Sequence, residues 1–392
     1  MKNFSGRVAL CAICFILSSC NGMDDLFGFR GDLGGTHGQS STDSSGVRKP
    51  IPDIRNVYIS GIDRQNSSLV LFKNGEQILS VPYGEEFRVS GEPDMHHLIN
   101  GSLFTEYHDA QGTTIGRDSV ILFTYDGEET LRGLMADGDD VYTIGQRCSG
   151  CGFVFRKNGI PLLESDSGQV YGSMYDASYM RTGALYEDNG SVCFAYYSDK
   201  WHIVTDGVDN IINIPQSVKE IFDLRIVNGT ICYVSNDNYS SEPVLHLDKQ
   251  TFDFSTSSYA SGRDFRIYAR RNGIFFSGSL KSGNKWITAC WSMDGNLQTF
   301  SGTGCNLYRD DDSCAFIQYS TNIVQCYTED KGSESLKGRY EYVSCWNADY
   351  TDGVLRAVLT PKDKNQKPFM WENGKKTYFD INGSLTSVYY GI

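Results

Sequence analysis

The sequence predicts an all-β protein, a β-propeller of about eight four-stranded blades. Three observations predict it: strand-like apolar runs recur about every 42 residues from residue 54 onward, Asn-Gly or Asp-Gly pairs join them, and no long helical periodicity interrupts them. The units open on Val57-Tyr58-Ile59-Ser60, Ser102-Leu103-Phe104, Val141-Tyr142-Thr143-Ile144, Ser191-Val192-Cys193-Phe194, Thr230-Ile231-Cys232-Tyr233, Ile274-Phe275-Phe276, Cys314-Ala315-Phe316-Ile317 and Val354-Leu355-Arg356-Ala357. Each is followed by a polar loop and a second apolar run: LVLF, VILF, FVF, WHIV, PVLHL, ITACW, NIVQCY and PFMW. Most of these meet a tight turn, at Asn74-Gly75, Asp126-Gly127, Asn158-Gly159, Asp206-Gly207, Asp294-Gly295 and Asn373-Gly374. Such pairs accept the positive φ angles of a two-residue hairpin, so they are expected to be hairpin junctions.

Further strand-like pieces, EEFRVSG, KEIFDLRIV, DFRIYAR and YEYVSCW, bring each unit to about four short strands, the content of a propeller blade. The first unit opens at its second strand and the chain closes on Leu385 to Tyr390. The C-terminal strand is therefore expected to join the first blade as its innermost strand and close the ring, removing an edge. The alternative is a seven-bladed ring with one irregular unit, since several repeats diverge and residues 98–118 are poorly patterned.

The first twenty residues carry Lys2 and Arg7, an apolar run from Val8 to Leu17, small Ser18 and Ser19, and then Cys20. That order marks residues 1–19 as a signal peptide, too short in its apolar run for a relaxed membrane span. Leu17-Ser18-Ser19-Cys20 resembles the bacterial lipobox, and the resemblance implies cleavage before Cys20 and lipid attachment there, with several acyl chains as a membrane anchor. Asn21-Gly22-Met23-Asp24-Asp25 is similar to the acidic tag of some Bacteroidetes surface lipoproteins, which leaves a surface-exposed and a periplasm-facing outer-membrane position both open. Residues 20–53, Gly/Ser-rich and without periodicity, read as a tether. The propeller domain is expected over 54–392.

Composition narrows the partners. Lys plus Arg number 35 against 48 Asp plus Glu, a net charge of -13, so the field of the chain repels phosphate backbones and argues against nucleic acid. Tight turns alternate with longer connections, such as IDRQNSS, HDAQGTTIGRD, RCSGC, NDNYSSE, KSGNK and PKDKNQK, and hairpin geometry places the longer ones on one face. Loops on a rigid scaffold commonly bind ligands. Tyr83, Tyr171, Tyr239 and Tyr259 sit on that face as candidate stacking groups.

Nine cysteines follow Cys20, an odd number that does not make a disulfide framework. Cys193 and Cys232 hold equivalent strand positions, as Cys290 and Cys326 nearly do, and read as small buried residues. Cys305 and Cys314 flank Asp310-Asp311-Asp312 and face each other only if the hairpin register allows it. Cys148-Ser149-Gly150-Cys151 lacks the helix start of a redox pair and the further ligands of a zinc site, so it reads as a loop disulfide or two free thiols. His96, His97, Glu106 and His108 form the only local histidine cluster, and a polar strand is the plainer reading. Trp201, Trp291 and Trp371 recur in the third-strand run, where they read as core. No metal site and no cofactor is called for.

The segments LVLFKNGEQIL, FVFRKNGIPLL and PFMWENGKKTY resemble propeller repeats ending in an aromatic-x-Asn-Gly turn, found in Bacteroidetes-type outer-membrane lipoproteins. That family brings no catalytic residues to carry over. The WD dipeptide, the kelch double-Gly series and the sialidase Asp box are missing, which weighs against an enzyme without deciding the matter, because fold does not fix function. The leading expectation is a membrane-anchored, non-catalytic binding or assembly module that recognises a protein or glycan through the long-loop face. The alternatives are a propeller polysaccharide hydrolase or lyase and a structural subunit of an envelope complex.

Overall fold

The computed structural model describes residues 55–391, apart from 83–95, 110–111, 126–128, 148–151, 172–182, 216–217, 219, 237–243, 248–249, 254–261, 271–272, 283–284, 293–296, 302–304, 310–313, 321, 329–331 and 342–347. The described strands form eight antiparallel sheets, seven of four strands and one of five. Seven sheets use consecutive strands, and the first pairs Asn56–Asp63 with the C-terminal Gly383–Gly391. The eight-bladed propeller with its first blade completed by the C-terminal strand is thus the observed architecture, and blades are numbered one to eight from that blade.

Local chemistry explains the hairpins. At the third-to-fourth-strand turn of blade one, Asn74 and Gly75 have φ of 52° and 90°, the left-handed conformation such a turn requires. Asn74 Oδ1 also accepts the backbone N–H of Val57 at 2.9 Å, while the N–H of Asn74 donates to the carbonyl of Val57 at 2.8 Å. Asp118 repeats this exchange with Leu103, Asn158 with Val141 and Asp206 with Val192. Asn or Asp at these turns therefore does two things, tolerating positive φ and tying the turn to the second residue of the second strand. The expected hairpin at Asp126-Gly127 is corrected by this pattern. The turn of blade two is Asp118-Ser119, with φ of 49° and 73°; Gly112–Arg117 is its third strand and Val120–Tyr125 its fourth. Two glycines and two threonines in Gly112–Arg117 hide that strand from an apolar pattern.

The loop assignment needs a related correction. In blade two only 110–111 separate the second and third strands, and in blade six only 283–284, so HDAQGTTIGRD and KSGNK are mostly strand. Longer second-to-third connections remain at 64–67, 148–152, 237–243 and 360–368. The first-to-second and third-to-fourth turns share the opposite, turn-bearing face.

Alternate side chains of each strand pack against the blades on either side. Leu69 and Leu71 join Leu98 and Leu103 of blade two, whereas Val70 and Phe72, one residue out of step, join Val358 and Met370 of blade eight. Comparable clusters join blades two to three, three to four, four to five, five to six and seven to eight. The three-to-four junction buries Phe153, Phe155 and Phe194 fully, and burial of each ring contributes roughly 2–3 kcal/mol. Phe153 meets Phe194 edge to face at 5.5 Å.

Cys193 and Cys232 lie in this core as free thiols, pushed up by burial to about 11 and about 12, and Cys326 behaves likewise. The Cys305–Cys314 pairing is ruled out by register: Cys305 faces Gln318, and Cys314 faces Arg309. Trp201, Trp291 and Trp371 occupy third strands as expected, and Trp371 is buried with its indole N–H on Glu334 at 3.1 Å.

Candidate binding site

The first strands of neighbouring blades touch one another, and the fourth strands carry the exposed side chains, so the first strands surround the axis. These inner strands share an irregularity. In blade one the pairing skips Thr386, opposite Ser60 and Gly61; in blade three it skips Arg132, opposite Ile144 and Gly145; in blade five it skips Phe222, opposite Val234 and Ser235. In blade six Asp264 and Phe265 are skipped opposite Gly278. Counted from the start of the second strand, all four lie at the same level. A bulge bends its strand and re-aims a side chain.

At that level the inner strand of blade four opens altogether. Gln169–Val170 pairs with Tyr197 and Tyr196, the N–H of Tyr171 reaches the carbonyl of Ala195 at 2.9 Å, and pairing resumes at Tyr186 opposite Cys193. The returning chain leans on blade three, where Gly183 bridges Gly133 and the N–H of Ala184 donates to the carbonyl of Arg132 at 2.8 Å.

This opening leaves a small cleft between blades four and five. Ala184, Ala195 and Leu224 make a buried apolar floor, and Tyr171, Tyr186, Asp223 and Arg225 make the polar wall. Asp223 is buried and accepts the N–H of Ile267 in blade six at 2.8 Å, the N–H of Leu224 at 3.0 Å and Arg225 Nε at 3.3 Å. The Arg225 guanidinium lies 5.2 Å from the centre of the Tyr186 ring. Tyr186 Oη accepts the N–H of Ile226 at 2.9 Å, and burial raises its phenol further above the usual range. The lining therefore sets aromatic edges and a cation around a recess of about 10 Å³, the size of a water molecule. Its one carboxylate is engaged by three donors, which suits it to holding the wall and not to abstracting a proton.

Tyr171 is the one candidate tyrosine among the described residues. Its ring packs edge to face on Trp201 at 5.5 Å, and its hydroxyl donates to the carbonyl of Phe222, so it anchors the cleft wall more than it projects from a loop. Tyr83, Tyr239, Tyr259, Cys148, Cys151 and Cys20 lie outside the described residues. The histidine cluster is divided. His96 Nε2 meets Thr386 Oγ1 at 2.7 Å across the junction of blades two and one, and Thr386 meets Ser60 at 3.0 Å. Glu106 instead acts on Tyr125, whose phenol is pushed up first by burial and then by the Glu106 charge, and buried His97 is pulled down to about 3, chiefly by burial and then by His96. Among the described residues no group of three His, Cys, Asp or Glu side chains is placed to hold a metal ion.

Sequence reading missed Asp223, Tyr186 and Arg225, and also a network in blade four. His202 Nδ1 faces both oxygens of Asp209 at 3.1 Å, its ring stacks on Tyr196 at 4.3 Å, and its Nε2 lies 3.3 Å from Ser198 Oγ. Contact of Nδ1 with a carboxylate assigns the ring proton there and leaves Nε2 as an acceptor. Ser198 Oγ is also 3.0 Å from Asp199 Oδ1, so two acceptors compete for its one proton.

No family model matches the chain, and no curated protein matches it. Similar solved structures include an oligogalacturonate lyase in complex with manganese, 8% identical over 84% of this chain and 98% of that one, with a TM-score of 0.47. A streptogramin B lyase is 12% identical over 79% and 97%, with a TM-score of 0.39. The acylaminoacyl peptidase of Pyrococcus horikoshii is 9% identical over 81% and 58%, with a TM-score of 0.43. Likeness at this level brings no activity to the chain.

Proposed function

We propose that this chain is an envelope lipoprotein, held to a membrane by acyl groups on Cys20, that binds a protein or glycan partner through its loop-bearing face and the inner-strand wall beneath it, without covalent chemistry. The observation that carries this reading is the opened inner strand of blade four. At a level where neighbouring blades bulge by one or two residues, it leaves a cleft with an apolar floor, two tyrosines and Arg225. Aromatic and Arg side chains around a small apolar recess are what recognition sites use as anchors.

The test is crosslinking of the natively lipidated protein in whole cells, followed by affinity purification and mass spectrometry, with the purified domain screened against glycans in parallel. Arg225→Lys keeps a cation beside Asp223 but removes the planar fork. It is expected to weaken capture of the partner about tenfold with an unchanged melting temperature. Capture that survives Arg225→Lys and Tyr186→Ala alike would overturn the assignment of the cleft.

A hydrolase that removes acyl substituents from a polysaccharide is the second reading, favoured by the Ser198–His202–Asp209 line alone, an arrangement suited to acyl transfer and not to glycosidic cleavage. Release of acyl groups from an acylated oligosaccharide, abolished by His202→Asn, would establish it in place of the first.

A further inference from the structure

Among the described residues, large apolar side chains left exposed are concentrated on one part of the circumference. Eight of the ten lie on the outer strands of blades one to four. They include Ile78 in Glu76–Pro82, Ile121 and Leu122 in Val120–Tyr125, Ile160 and Leu162 in Ile160–Ser165, and Val208 in Val208–Ile212, with exposures from 38% at Leu122 to 68% at Ile121 and Ile160. The described outer-strand residues of blades five and seven expose Gln250 and Thr251, and Glu334 and Ser335, and the outer strand of blade eight exposes Lys375 and Lys376 with a single aromatic, Tyr378. An exposed aliphatic on its own needs no explanation, but a run of them over four adjacent blades does.

Register shows how the belt is made. In blade one the outer pairing skips Ile78, in blade two Leu122 and in blade three Leu162, one bulge at the same place in each blade. A bulge interrupts the ladder a partner strand would extend and turns its own side chain outward. The edge is thus unsuited to strand addition while its aliphatic groups remain free for contact. All six named residues fall within the first three positions after the tight turns, so the belt lies beside the turn-bearing face.

The chain enters the ring at that level. Asn56 opens the second strand of blade one, and its side-chain oxygen accepts from Asn74 Nδ2 of the tight turn at 2.8 Å. Residues 21–54, which separate Cys20 from the first described residue, span at most ~120 Å, and they lead into the blade where the belt begins. A net charge of -13 sets the ring against anionic headgroups, so contact with a membrane here rests on aliphatic insertion into a neutral interface. We propose that the turn-side edge of blades one to four docks on the lipid surface that holds Cys20, leaving the loop-bearing face free. The proposal rests on the anchored-lipoprotein reading.

The test uses the full chain made unacylated by Cys20→Ser and floated with vesicles of phosphatidylethanolamine and phosphatidylcholine, so that binding does not depend on the anchor. The chain is expected to float, with little change on adding salt, and Ile121→Glu with Leu162→Glu is expected to lower the bound fraction about tenfold. Ser335→Glu on blade seven is expected to leave it unchanged. The milder pair Ile160→Ser and Val208→Ser, with circular dichroism on each variant, separates loss of contact from loss of fold. No flotation of the parent chain, or equal flotation of both belt variants, overturns the proposal. A lipid-free dimer that dissociates in the belt variants would assign the belt to a second copy and overturn it as well. Failure of the cleft reading shows up as partner capture insensitive to Arg225→Lys, and failure of the anchor as a native protein of unacylated mass; neither outcome is read by flotation.

Discussion

Deletion of residues 383–392 is expected to abolish the cooperative unfolding of the domain. This segment supplies the inner strand of blade one, pairing with Asn56–Asp63 along its length. It buries Leu385 and Val388 at the junction with blade eight, where the N–H of Leu385 donates to Thr360 Oγ1 at 3.0 Å and Ser384 donates to Glu341. Its loss exposes the core side of Asn56–Asp63 and leaves blades eight and two without the strand both contact. The cost exceeds about 5 kcal/mol, comparable with the whole stability of many domains. Thermal melting by circular dichroism should lose its sharp transition, and trypsin should cut the truncated chain throughout. A synthetic peptide of residues 383–391 added in trans should restore part of the protection. A sharp melt retained after truncation would show that this strand does not close the ring.

Arg156→Met is expected to destabilise the fold by about 3–5 kcal/mol. Arg156 and Glu129 are both buried in blade three, paired through two hydrogen bonds of 2.7 and 2.9 Å. The guanidinium also lies 4.0 Å from the centre of the Tyr125 ring of blade two, so the cation is shared across the junction. The Glu129 carboxylate packs against the backbone of Gly145, where a Cβ would come within 2.2 Å of its Oε2. Removing the arginine alone leaves a buried carboxylate without its partner, whereas Glu129→Leu with Arg156→Met removes both charges and should recover most of the loss. Denaturant titration of the two singles and the double measures this coupling. A cost below 1 kcal/mol for Arg156→Met would mean that the pair is not desolvated as the packing indicates.

The repeat was legible because its turns use Asn or Asp for a chemical reason, the simultaneous demand for positive φ and for an acceptor facing Val57, Val141 or Val192. The closing strand was legible because Leu385 and Val388 continue the apolar period where the first unit lacks a strand. Gly112–Arg117 escaped notice because its neighbours bury it without a run of large apolar residues. The inner-strand breaks left no signature at all. Thr386, Arg132 and Phe222 share a register position and no side-chain chemistry, since what defines the position is a main-chain offset against the second strand. Hence the Arg225 cleft, made by the offset of two blades, could not be found from residue types. Tyr171 illustrates the converse error: an aromatic read as loop-borne is held in the wall by its hydroxyl and by Trp201.

The claim that a partner is bound on the loop-bearing face is tested most directly by a photoreactive benzophenone side chain placed at single positions in the lipidated protein in cells. Lys200 and Asn365 report on the loop-bearing face, and Asp139 and Lys375 on the turn-bearing face, all four being exposed. The prediction is a discrete protein or glycan adduct from Lys200 and Asn365, lost with Arg225→Lys, and none from Asp139 or Lys375. Discrete adducts from Asp139 and Lys375 alone would contradict it and place the recognition surface on the opposite side of the ring.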